Sequence, residues 1–522
     1  MSSETVHKDK IMTEPVDMDV AKVEEGQNYA AVDKQSERSY GRLSCSSETR
    51  LLSAAFSIPG MFVVESFMNI TKIAELTELP ARCISSTQSI GHSNLGNAKT
   101  DKLDEDLHFK GNEYSLLILL FYIPFGLCDL PLNLLTKLWS GRVMLPTLMV
   151  TWGSLALVQC AAKNFGGLLA IRLLLGVCEA GFFAGVVFYL TLFYTRGELG
   201  FRLAIFFGSA LLAAAFSGLI SYGVFRIKDH AVKGWMWLFI IEGGLTVIVG
   251  TVAFFWLPSA AEHAWFLTGT EKAAARARSL RDGSRCVGSE FSLKQAFGTW
   301  RGWRFAGWCV IAFTYPVAFS TTSNFLPQIV QRLGYSTVKT NLWTVAPNAV
   351  GFVVLLTVAK SSDYFRERTY HIIFSLCLSL TGMIILASID VLGNKGVAYF
   401  ACFLMAAGSY IPSVLVHSWH NNNNLEENSR SATTGLLVGL GNLAGILSAA
   451  TFRVEYAPGY RPTLIATSCC NVACIGFTLA MGVWMKRQNA RRDAELGVVI
   501  RAGDVDTSSL VDGEKSPNWR FF

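Results

Sequence analysis

Charge is scarce in this sequence. Only 16% of its 522 residues are Asp, Glu, Lys or Arg, while 51% are hydrophobic. A soluble chain of this length needs more charge to cover its surface. Other signatures are missing too. The twelve cysteines form no spaced pair of the metal-ligand kind, and most fall inside apolar segments, so neither a metal nor a disulfide framework is expected. No nucleophile–base set or nucleotide loop is found, so no catalytic residue and no cofactor are expected. No basic patch is interleaved with stacking aromatics, so the net charge of +6 points to no nucleic acid. The opening Met-Ser-Ser-Glu-Thr-Val-His-Lys-Asp-Lys is too charged for a cleaved signal peptide.

Long apolar runs are what the sequence has instead. Each approaches the ~20 residues needed to cross hydrocarbon. They lie at Tyr114–Leu134, Val143–Ala162, Gly166–Tyr189, Leu203–Val224 and Met236–Leu257. After a break follow Phe305–Leu326, Leu342–Ala359, Ile372–Ile389, Val397–His417, Thr433–Phe452 and Thr463–Met485. An earlier run, Leu51–Ile70, is a poor span because it carries Pro59 and Glu65, and some forty mostly polar residues follow it. The pattern predicts an all-α membrane protein of two six-helix bundles, nominally twelve transmembrane helices with an irregular first one. The expected divisions are a disordered cytoplasmic head at 1–50, a first helical half at 51–258 (irregular over 51–112), a central loop at 259–303, a second half at 304–486 and a tail at 487–522. A gene-model error is an alternative account of residues 51–92.

Lysine and arginine concentrate at Lys137–Arg142, Arg196–Arg202, the central loop, Lys360–Arg368 and the start of the tail. These segments fall on one side of the bundle, and the positive-inside rule makes that side cytoplasmic.

Two ionisable residues stand out. Arg172 and Glu179 share one apolar span and are seven residues apart, about two helical turns, so both face the same way. Charge in hydrocarbon survives by facing a cavity or a partner. One reading makes Arg172 a binder of an anionic substrate and Glu179 a proton-coupling group. The other makes them a structural ion pair.

The surrounding segment, Phe165–Gly185 (FGGLLAIRLLLGVCEAGFFAG), resembles the fourth helix of fungal transporters in the major facilitator superfamily. More narrowly, it resembles the anion:cation symporter group of the allantoate and nicotinic acid permease type. Further blocks carry the resemblance: Ser93–Lys99 (SNLGNAK), Gly111–Tyr114, Cys128–Leu135 (CDLPLNLL), Gly234–Gly243 (GWMWLFIIEG), Phe325–Val330, Ser361–Arg368 (SSDYFRER) and Gly441–Gly445 (GNLAG). The resemblance implies twelve helices around a central cavity, alternating access, and the usually proton-coupled transport of vitamins, ureides or organic acids at the plasma membrane. It also matches the family's arginine and acidic residue seven apart in helix four. This sequence departs from the family before SNLGNAK, where Gly91 and His92 replace Asp-Arg, and in helix six, where Trp-Met-Trp replaces Trp-Arg-Trp.

The remaining site expectations follow. Asp363, Arg366 and Arg368 resemble the superfamily's gating loop, with simple positive-inside anchoring as the plainer reading. The first-half counterpart, Lys137–Arg142, has no acid, so its gate needs Asp129 or another partner. Asn324 and Asn442 are candidate substrate-binding residues, Glu242 is a second candidate for proton coupling, and His417 is a candidate cavity residue. For these polar residues an interhelical hydrogen bond is the competing role. Asn69 begins the sequon Asn-Ile-Thr, used only if the first span crosses. Expected partners are a small organic anion, protons and the lipid bilayer. Efflux of a metabolite, or a non-transporting sensor or inactive paralogue with a damaged first helix, stays open as an alternative.

Overall fold

The computed structural model describes residues 103–110, 113–224, 232–265, 290–331, 337–391, 393–451, 460–510 and 513–522, with Leu95, Ala98 and scattered positions between 267 and 282. The expectations for the head at 1–50, the run Leu51–Ile70, Asn69, Gly91 and His92 lie outside the described residues. Every regular element among the described residues is helical, as the hydropathy pattern predicts.

The first half contains α1 (Glu113–Trp139), α2 (Gly141–Val158), α3 (Phe165–Glu179), α4 (Phe182–Leu190), α5 (Leu199–Val224) and α6 (Gly234–Trp256). The second contains α7 (Trp303–Gln331), α8 (Thr337–Phe365), α9 (Thr369–Ser388), α10 (Lys395–Ser409), α11 (Ile411–Asn422), α12 (Glu427–Thr451) and α13 (Arg461–Leu496). Helices α3 and α4 form one span, and α10 and α11 another. Among the described residues, ten helical stretches are long and apolar enough to cross a membrane, and Leu199–Leu212 of α5 adds a shorter one. These eleven coincide with the eleven clear runs of the sequence.

Lipid explains how these helices differ from soluble ones. Helix α6 turns Ile241, Leu245, Ile248, Val252 and Phe255 outward, a stripe one helical face wide. Its inner face starts with Trp235, Leu238 and Phe239 and then turns small or polar, with Glu242, Gly243, Thr246, Gly250 and Ala253. A Cβ on Gly243 would lie 2.9 Å from Leu157, and one on Gly250 would lie 3.0 Å from Met149, so the glycines let α2 and α6 approach closely. Outward-facing hydroxyls have no water to bond in hydrocarbon, where an unsatisfied polar group is costly. Thr147, Thr151, Ser154, Thr251, Thr357 and Thr381 instead donate to the carbonyl one turn earlier, at 2.7–2.8 Å.

The two halves meet along α1 with α12 and α5 with α8. A Cβ on Gly439 would lie 2.5 Å from the Gly126 carbonyl oxygen, and one on Gly208 would lie 2.5 Å from Phe352. The glycines of Gly439–Gly445 thus serve close helix contact. At the end of the bundle nearest α13's C-terminus, the seam is polar. Asn133 Nδ2 donates to the Ser431 carbonyl at 2.6 Å, and Ser431 Oγ donates to the Asn133 carbonyl at 3.0 Å. We call this the tail end.

Candidate functional site

Helix α3 starts where the Asn164 side chain accepts a hydrogen bond from the Gly167 N–H at 2.8 Å. It stops at Glu179 because the next two residues leave the helical region. Ala180 is extended, and Gly181 has a φ of 72°, a conformation that favours glycine. The freed Gly181 N–H is not orphaned: it donates to Asp129 Oδ1 at 2.7 Å. Asp129 Oδ2 accepts from Asn442 Nδ2 at 2.6 Å. One buried carboxylate therefore ties α1, the α3–α4 break and α12 together.

Arg172 and Glu179 are both buried on the inner face of α3. Arg172 is electrostatically coupled to Glu179 and to Tyr114 of α1, and Glu179 is coupled in turn to Asp129. The Arg172 Nε and Nη2 atoms are buried and have no hydrogen-bond partner among the described residues. That leaves two donors of a charged group unsatisfied, which is costly until an acceptor arrives. A carboxylate matches such a planar fork.

The other expected residues distribute differently. Both Glu242 oxygens are buried without a hydrogen-bond partner among the described residues. Asn324 lies on α7, but its side chain is outside the described residues. Asn442 is held by Asp129 rather than standing alone. His417 joins the halves: its Nε2 lies 2.9 Å from the Tyr315 hydroxyl, and its ring meets Phe183 of α4 edge-on with centroids 5.5 Å apart.

Asp363, Arg366 and Arg368 do come together at the tail end, and across the halves. Asp363 Oδ2 accepts from the Phe201 N–H at 2.6 Å, while its Oδ1 pairs with Arg368. Arg368 also donates to the Arg196 carbonyl at 3.2 Å. Arg196 pairs through Nε with Asp282 Oδ1 at 2.8 Å, and Arg366 reaches Asp282 Oδ2 at 3.5 Å. Burial pushes the Arg196 guanidinium below its ordinary value, against the pull of Asp282. The acid that the first-half loop lacks comes from the other half: Lys137 pairs with Glu427 at 2.7 Å.

Sequence reasoning missed Asp282, Glu427 and Arg196 as members of this cluster. Their partners lie far away in sequence, so only the fold brings them together. The polar run Trp419–Asn424 closes α11, which stays helical through Asn422. It is buried rather than exposed, however, with Asn422 donating to the Arg196 carbonyl at 2.8 Å. The segment after α13 was also unforeseen. Trp519, Arg520, Phe521 and Phe522 are buried against the tail end.

Comparisons with known proteins agree with this architecture. A family model described as Major Facilitator Superfamily matches residues 83–449. The chain is 65% identical over 434 residues to the major facilitator-type transporter hxnP of Emericella nidulans, covering 82% of this chain and 88% of that one. It is 50% identical over 433 residues to the MFS-type transporter efuF of Hormonema carpetanum, covering 83% and 87%. Among solved structures, the proton:xylose symporter XylE superposes with a TM-score of 0.59 at 15% identity, covering 77% of this chain and 94% of that one. At that identity the likeness speaks for the fold.

Proposed function

This chain belongs to the major facilitator superfamily of multi-pass membrane transporters, and from that premise we propose that it takes up a small organic anion together with protons by alternating access. Arg172 carries this reading. It is a buried arginine with two donors unsatisfied among the described residues, two helical turns from a buried acid, on a span broken one residue after that acid. Buried charge inside a membrane protein marks a substrate or proton path. In this reading Arg172 binds the carboxylate and Glu179 carries the coupled proton, with Glu242 as a second protonatable group. Asn324 and Asn442 contribute polar contacts. The narrower assignment is to the fungal anion:cation symporter group, acting at the plasma membrane.

The tail-end cluster supports a gate in the same scheme. Asp363, Arg368 and Asp129 hold contacts that cross from one half to the other, and Arg366 holds the central loop through Asp282; these must part for the bundle to open there. The positive-inside rule assigns that end to the cytoplasm.

The test is uptake of labelled organic acids and vitamins by cells expressing the chain. Uptake that rises as external pH falls is expected. Arg172→Ala should abolish it while the protein still reaches the membrane. Normal uptake by that variant, at equal membrane abundance, removes the assignment.

A further inference from the structure

Residues 497–510 and 513–522 do not trail away from the bundle. They fold back across its tail end and touch both halves. On the second half, Trp419 Nε1 donates to the Phe522 carbonyl at 2.8 Å, and the Phe522 N–H donates to Asn423 Oδ1 at 2.9 Å. Phe521 and Asn489 exchange two hydrogen bonds of 2.9 Å, and Arg520 pairs with Asp493 at 2.7 Å. On the first half the contact is Arg196. Its guanidinium sits 4.7 Å from the Trp519 ring centroid and 4.9 Å from that of Phe522, and its Nη2 donates to the Ala502 carbonyl at 3.1 Å.

Arg196 is also the residue on which the gate converges. Its carbonyl accepts from Arg368 and Asn422 of the second half, and its side chain pairs with Asp282. A cation over two aromatic faces is attracted to both, more so where water is excluded. Trp519 is fully buried, and Phe522 is 9% exposed. The bundle cannot open at this end while Arg196 stays stacked on a segment anchored to the other half.

We propose that residues 497–522 form an aromatic strap that holds the transporter closed at its tail end, and that this strap must release for the site to open there. The mechanism is a bridge: the segment is fixed to α11 and α13 by hydrogen bonds and clasps the first half through Arg196. Anything that removes it shifts the population toward the state open at the tail end. The inference rests on alternating access and not on the identity of the solute, so its test needs no solute.

The experiment uses the full chain with Ser431→Cys, in lipid nanodiscs, labelled by a membrane-impermeant maleimide. The same chain without that substitution gives the background. Ser431 lies at the seam and is fully buried while the tail end is closed. Slow labelling is expected for the full chain. Ending the chain after Leu496 should speed it at least ~5-fold, the lower end of ordinary coupling between sites. A peptide spanning Val498–Phe522, added to the shortened chain, should restore slow labelling. Should the shortened chain fail to accumulate, the Trp519→Ala/Phe522→Ala double variant is read in the same way. Equal or slower labelling on loss of the strap overturns the proposal and leaves the anion-uptake reading standing.

Discussion

The tail end and the middle of the first half differ in how they pair buried charge, although at the tail end too Arg196 Nη1 and Arg368 Nε are buried without a hydrogen-bond partner among the described residues. At the tail end Lys137 has Glu427, Arg368 has Asp363, and Arg196 and Arg366 share Asp282. In the interior, Arg172 keeps two donors and Glu242 two oxygens without hydrogen-bond partners among the described residues. Paired ions within a closed seam act as a latch, because separating them exposes each to the cost of burial alone. Buried polar atoms with no partner are costly in the resting protein, and under the proposed function a ligand would supply the partner to Arg172 and a proton to Glu242.

The sharpest test of the contrast removes one member from each class. Glu427→Ala should destabilise the protein most, by ~3–5 kcal/mol, because Lys137 is then buried without a counter-ion. A lower thermal unfolding midpoint in detergent reports this, and the Lys137→Met/Glu427→Leu double variant should recover most of the loss. An unchanged midpoint in the single variant would dissolve the distinction between latch and site. For Arg172→Ala the two readouts should separate. The unfolding midpoint stays near that of the parent, while uptake falls by more than ~100-fold, as expected for losing two charge-assisted bonds.

Gly181→Ala should cost ~1–3 kcal/mol, since φ is 72° there and an added Cβ would collide with Leu132. A midpoint equal to that of the parent would show that the break in span four tolerates a side chain. The smallest effect is expected for Glu242→Gln. Its carboxylate has no hydrogen-bond partner to lose among the described residues, so the stability read from thermal unfolding should stay within ~1 kcal/mol of the parent or rise slightly. A large loss of stability there would place Glu242 in the latched class.

How much of this was legible in the sequence depended on locality. Each span announces itself through its own apolar composition, so the eleven runs coincide with the helices. Arg172 and Glu179 share a face because helical periodicity is local. The interruption at Gly181 was hidden, since an apolar run of the same composition also fits one continuous helix. The partner of Lys137 was equally invisible: Glu427 lies in the other half, and nothing near Lys137 points to it. The Trp419–Asn424 run shows the same limit in reverse. Asparagine reads as solvent-facing in sequence, yet here it replaces solvent by bonding backbone at a crowded junction. The aromatic cluster Trp519–Phe522 after a polar stretch was the one signal available for the strap.

The double hold of Asp129 has a mechanical corollary. Its two oxygens grip an amide just past Glu179 and an amide side chain on α12, so one carboxylate is the shared hinge pin of both halves. Drawing α12 aside strips away half of what fixes that carboxylate. In the proposed alternating access, the remaining bond would then be free to re-aim, and the kink beside Glu179 would shift with it. Separation of the bundles would thereby be transmitted, within a single side chain, to the peptide next to an ionisable group.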